Sequence, residues 1–151
     1  MSLPSVTLDR IESLLRPNDG AVRRDGDILR RSYSDVVTEV RRREKILAVT
    51  AISTVHYTDA RDCASALELV AGPGAAGLLA ACSVERVADG CRIKASFDAV
   101  ISAGATDVQL LSLVRRAIDI CASTVTEHDQ RIAEIVAERR DGTERGTGTE
   151  E

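Results

Sequence analysis

The longest run of alternating character in the chain covers residues 91–101. Cys91, Ile93, Ala95, Phe97, Ala99 and Ile101 are apolar, and Arg92, Lys94, Ser96 and Asp98 stand between them. Side chains alternate faces along a strand, so this spacing predicts a long half-buried β-strand with Phe97 buried on its dry face. Gly104 ends the alternation, and Thr106-Asp107-Val108-Gln109 follows. A Thr with a Gln three residues later forms a capping box, in which each side chain accepts a backbone N–H that the first helical turn leaves over. A helix is therefore expected from Thr106 to about Arg139. Its apolar stripe starts at Leu110 and runs through Cys121, Val125, His128, Ile132, Ile135 and Val136. The β-branched patch at 123–126 is where a break in that helix would fall.

The rest of the chain divides by the same rules. Leu8, Ile11, Leu14 and Leu15 mark one face of a short amphipathic helix, with Thr7 as its N-cap and Pro17-Asn18-Asp19-Gly20 as its end. Residues 21–24 and 28–31 read as strands joined by a tight turn at Asp25-Gly26-Asp27. A third strand is expected over 36–42, then a charged reversal at 42–45, then the almost continuously apolar 46–52, which reads as a central strand. Thr58-Asp59 caps a second helix that ends at Ala71, with Gly72 in the left-handed conformation and Pro73 preventing continuation. Residues 78–87 read as a strand paired with 91–101 through a turn at Asp89-Gly90. The order α-ββββ-α-ββ-α defines an α+β fold: an antiparallel β-sheet with helices packed on one face.

Length and composition narrow this only slightly. With 151 residues, one domain over 1–140 is expected, followed by an acidic Gly/Thr/Glu tail over 141–151 that is too poor in apolar residues to order itself. Aromatic residues are 2%, so the core must be built from Val, Ile, Leu and Ala. A net charge of -4 argues against nucleic acid as a partner. Neither a signal peptide nor an apolar run long enough to span a membrane is legible, so a cytoplasmic protein without membrane contact is expected.

In its patterning the chain resembles the YbjN-domain family, described as candidate bacterial sensory-transduction regulators. The landmarks are Leu8-Asp9-Arg10-Ile11, Arg24-Asp25-Gly26-Asp27, the strand Leu47-Ala48-Val49-Thr50-Ala51, and Gly104-Ala105-Thr106-Asp107-Val108-Gln109-Leu110. The last is the most specific. The resemblance implies a fold similar to type III secretion chaperones and a non-enzymatic, often dimeric, protein-binding domain. It brings no catalytic residues. The end of the middle helix, Val70-Ala71-Gly72-Pro73, departs from the Asn-rich segment of relatives.

Each sharper chemical reading has a blander competitor. Gly72-Pro-Gly-Ala-Ala-Gly77 follows a helix and precedes a strand, the reverse of a phosphate-cradling loop, so it reads as a connector. His56 beside Tyr57 and Asp59 would suit a general base, yet no nucleophile is placed near it by sequence. His128 lacks a second ligand at helical spacing. Cys63, Cys82, Cys91 and Cys121 all fall on apolar faces without a C-x-x-C spacing, so buried inert thiols are expected. No catalytic, cofactor or metal residues are assigned.

Two surfaces are expected to carry function. Arg30, Arg31, Arg41, Arg42 and Arg43 form a candidate patch for an acidic protein partner. Val125, His128, Ile132, Ile135 and Val136 continue the third helix beyond what one sheet can cover, and so form a candidate homodimer interface. The reading is a non-enzymatic regulatory or chaperone-like module that binds a protein, as a homodimer. The alternative is a small-molecule sensor with a pocket between sheet and helices.

Overall fold

The computed structural model describes residues 2–17, 21–72 and 79–146. The chain runs α1 (Leu8–Leu15), β1 (Arg23–Asp25), β2 (Ile28–Tyr33), β3 (Val36–Arg43), β4 (Ile46–Ser53), α2 (Ala60–Ala71), β5 (Ala81–Val87), β6 (Gly90–Val100) and α3 (Asp107–Gly146). All neighbouring strands pair antiparallel, in the order β1-β2-β3-β4-β6-β5. The predicted α+β order and its antiparallel sheet are therefore what the chain adopts.

Register decides which side chains share a face. Leu29 pairs with Val40, Val40 with Val49, and Val49 with Phe97. Directly opposed residues lie on one face of a sheet, so these define the side that the helices cover. β4 shows it most clearly: Leu47, Val49, Ala51 and Ser53 are buried, and the residues between them are half-buried. α3 lies across β3, β4 and β6. α1 packs beside its first turns and over β2, and α2 beside its later turns and over β5 and β6.

Phe97 differs from expectation in being half-buried. β5 begins at Ala81, which pairs with Ser96, so from Phe97 onward β6 has no paired strand on its outer side among the described residues. The strand expected over 78–87 starts only at Ala81; Ala80 turns into the core and Leu79 is 72% exposed. Gly72 has φ -71° and ψ 166°, an extended conformation, so the middle helix ends without a left-handed residue. Residues 73–77 of the connector, like those at 18–20, lie outside the described residues.

α3 is continuous through 123–126 and reaches Gly146. Thr124 turns its hydroxyl onto the Ile120 carbonyl at 2.8 Å, and Val125 is buried, so the β-branched patch is satisfied within the helix. Residues 141–146, expected as the start of a disordered tail, continue the helix. Once a helix is nucleated, each further residue adds a backbone hydrogen bond at little cost, so polar composition alone does not end it. Residues 147–151 lie outside the description.

Candidate functional site

The arginines expected to form one patch are divided by the sheet. Alternation along β2 and β3 places Arg30, Arg41 and Arg43 on the open face, and Arg31 and Arg42 on the helix side. On the open face Arg30 contacts Glu39 (3.2 Å) and Asp25 (3.2 Å), and Arg41 contacts the other oxygen of Glu39 (3.0 Å). Glu39 is only 8% exposed, held between these two cations. The signal that would have shown the division was the alternation of Arg30 and Arg31 along one predicted strand.

The residues proposed for a dimer contact are distributed differently from expectation as well. Val125 and Ile132 are fully buried within the single chain, whereas Ile135 and Val136 are half-buried. The cover comes from the sheet and from α2, which packs against α3 and is tied to its later turns by Arg139. That guanidinium reaches Asp62 (2.9 Å) and Ser65 (2.5 Å) of α2. His128 turns its Nδ1 to the Thr124 carbonyl at 2.7 Å, within its own helix. His56 sits 3.5 Å from Asp89 in the β5–β6 turn.

Asp129, unmarked by sequence, is a half-buried carboxylate engaged on both oxygens. Ser53 Oγ donates to its Oδ2 and the Tyr57 hydroxyl to its Oδ1, both at 2.5 Å. Ser53 also accepts from the Val55 backbone N–H at 3.0 Å. Burial holds the Asp129 carboxyl above its ordinary range, with Asp35 adding to the rise, against the pull of its two hydroxyl donors and His128. Burial and Asp129 in turn push the Tyr57 phenol upward. With every carboxylate oxygen occupied, this cluster fastens α3 to the end of β4 and the loop after it.

A second cluster gathers three of the resemblance landmarks. Arg10 donates to the Pro4, Ser5 and Ala105 carbonyls and to Asp107 Oδ1, at 2.7–3.1 Å. Arg24 reaches Asp9 at 3.0 Å and the Gly26 carbonyl at 2.6 Å. Ala105 N–H donates to the Pro4 carbonyl, and a Cβ at Gly104 would stand 2.6 Å from that same oxygen. Only glycine, with φ +77°, allows that approach. These residues hold the N-terminal segment, α1 and the start of α3 together.

A concavity of about 680 Å³ lies between α3 and the Tyr33 end of β2 and β3. α1 covers the Leu29 end of β2 and α2 lies over the opposite edge, so the helices leave this corner of the sheet open. Arg31, Tyr33, Val36 and Thr38 form the floor, and Asp119, Ala122, Ser123, Thr126 and Glu127 of α3 the wall. The Arg31 guanidinium stands 5.4 Å from the centre of the Tyr33 ring, which is 72% exposed. Small side chains on the wall, an exposed aromatic on the floor and an acidic rim line this groove. Sequence reading missed it because its parts come from distant segments.

These features define the class: an α+β domain with its helices on one face of an antiparallel sheet and a groove beside its long helix. Among solved structures, the crystal structure of YbjN from E. coli, described as a candidate transcription regulator, is similar over 86% of this chain and 96% of that one. The TM-score is 0.66 at 16% sequence identity, so the fold is YbjN-like. No family model matches the chain, and no curated protein shows significant similarity to it. No helix among the described residues is long and apolar enough to cross a membrane. No group of three or more His, Cys, Asp or Glu among them is placed to hold a metal ion.

Proposed function

We propose that the chain is a non-enzymatic regulatory or chaperone-like module that holds a segment of a protein partner in the groove between α3 and the β2–β3 corner. The observation that carries this reading is a half-open concavity between α3 and the sheet, beside an exposed Tyr33. A peptide can lie along such a surface with its ends free, as in groove-binding modules generally. The YbjN-like fold supports a binding role over catalysis. So does the Ser53–Tyr57–Asp129 cluster, whose polar atoms are committed to one another. Its acidic wall, Asp119 and Glu127, suits a partner segment carrying basic side chains. The divided arginines, two of them bound to Glu39, are weaker ground for an acidic partner.

The sensor alternative rests on the same groove, whose volume lies within the range of small-ligand sites. A homodimer remains part of the proposal, with its contact moved off the α3 stripe that α2 covers. Ser123 and Thr126 are exposed on the groove wall, so Ser123→Arg with Thr126→Arg fills the groove without touching the core. Capture from native lysate should retain partner proteins on the wild type and lose them on this variant, at an unchanged melting temperature. Equal retention by both would remove the groove from the reading. A small molecule carried by the wild type alone in native mass spectrometry would favour the sensor. Light scattering on both forms reads the oligomeric state.

A further inference from the structure

Two cysteines that are remote in sequence meet at the start of α2. Tyr57 and Cys91 form an isolated antiparallel bridge: Tyr57 N–H donates to the Cys91 carbonyl at 2.8 Å, and Cys91 N–H to the Tyr57 carbonyl at 2.9 Å. Gly90 makes this possible, because a Cβ there would stand 1.9 Å from the Tyr57 carbonyl oxygen. Cys63, in the first turns of α2, donates its Sγ–H to that same oxygen at 3.2 Å. One carbonyl thus holds both the Cys91 backbone and the Cys63 side chain. The Cys63 thiol lies close enough to interact with that of Cys91. The Tyr57 hydroxyl bond to Asp129 keeps the bridge in place.

We propose that Cys63 and Cys91 are a modification site: a peroxide-oxidisable pair that closes to a disulfide joining the start of α2 to β6. In the first step the Cys63 sulfur attacks a hydroperoxide. An S–O bond forms and the O–O bond breaks. The thiol proton passes to the departing oxygen, and sulfur is oxidised to the sulfenic acid while one water (or alcohol) leaves. In the second step the Cys91 sulfur attacks the Cys63 sulfur. The S–S bond forms, the S–O bond breaks, and the Cys91 proton leaves with the hydroxyl as water. Two thiols and one hydrogen peroxide give one disulfide and two waters.

The order of events follows from exposure. Cys63 is half-buried and Cys91 is 5% exposed, so peroxide meets Cys63 first. Burial and the neighbouring Cys63 push the Cys91 thiol up to about 12, so the less buried Cys63 is the first to meet and react with peroxide. Burial likewise pushes Cys82 and Cys121 up to about 11, and Cys121 lies on another strand contact, donating to the Val49 carbonyl. Sequence spacing alone concealed the pair because the contact runs through the Tyr57 bridge.

The test treats the reduced full-length protein with graded hydrogen peroxide, blocks the remaining thiols with an alkylating reagent, and maps a non-reducing digest by mass spectrometry. One cross-linked peptide pair, Cys63 with Cys91, lighter by two hydrogens and reopened by dithiothreitol, is the expected product. Cys63→Ser should abolish it and leave Cys91 unmodified at the same dose. Cys91→Ser should instead accumulate a sulfenic acid at Cys63 that dimedone traps. Because Cys63 is the less buried of the two, its variant keeps the test valid if the Cys91 variant unfolds. Wild-type protein that stays fully alkylatable, passes directly to sulfinic acid at Cys63, or links other cysteines would overturn the proposal.

Discussion

Asp129 has a hydroxyl donor on each carboxylate oxygen, yet its carboxyl is held above the ordinary value of 3.8, because burial outweighs the donors. The folded protein therefore binds this proton more tightly than the unfolded chain does. Stability from that proton is complete below the ordinary value and is lost as pH rises through the higher folded value. Asn at this position is neutral at every pH and escapes the loss. Asp129→Asn should thus gain on the wild type as pH rises from about 4 to about 7. Urea melts of both proteins across that window read the difference directly. A difference that stays flat would mean the carboxyl is ionised at its usual pH despite its burial. His128 and Asp35, which pull this carboxyl in opposite directions, belong in the same titration.

At the scale of elements, the best-marked feature of the sequence was also the most faithful. The box at the start of α3 closes in both directions: Gln109 N–H donates to Thr106 Oγ1 at 3.2 Å, and Thr106 N–H to Gln109 Oε1 at 3.0 Å. Thr106→Ala should cost about 1 kcal/mol, as for other N-caps, and a thermal melt checks it. An unchanged melting temperature would show that Arg10, bound to Ala105 and Asp107, holds this helix start without the cap. Elements were legible because alternation, caps and turn residues are local. What lay beyond reach was non-local in origin. Phe97 loses cover because β5 stops one residue short of it, a boundary that only pairing sets. The groove, the Asp129 cluster and the Cys63–Cys91 contact each join segments far apart in the chain.

On the scale of the whole molecule, the length of α3 poses the largest question. Its 40 residues extend for about 60 Å at 1.5 Å per residue. The 11 residues of β6 span about 36 Å. A helix that outruns its sheet exposes an apolar stripe unless something covers it, which is why a second copy was the expected cover. The chain supplies its own: α2 lies beside the later turns, Ile132 is 0% exposed, and Arg139 ties the helices together through Asp62 and Ser65. Placing a charge at 132 should therefore unfold this packing, whatever the number of copies in solution. Ile132→Asp loses a buried aliphatic side chain and buries a carboxylate, so a loss of about 3–5 kcal/mol is expected. Ala133→Asp, one residue on and exposed, should change stability by less than about 0.5 kcal/mol. Denaturant midpoints and light scattering on the two variants separate the accounts. If Ile132→Asp keeps its midpoint and only halves the mass of the particle, the stripe is a contact between copies after all. If the midpoint falls and Ala133→Asp does not follow, α2 is the cover, and any pairing of copies must use another surface.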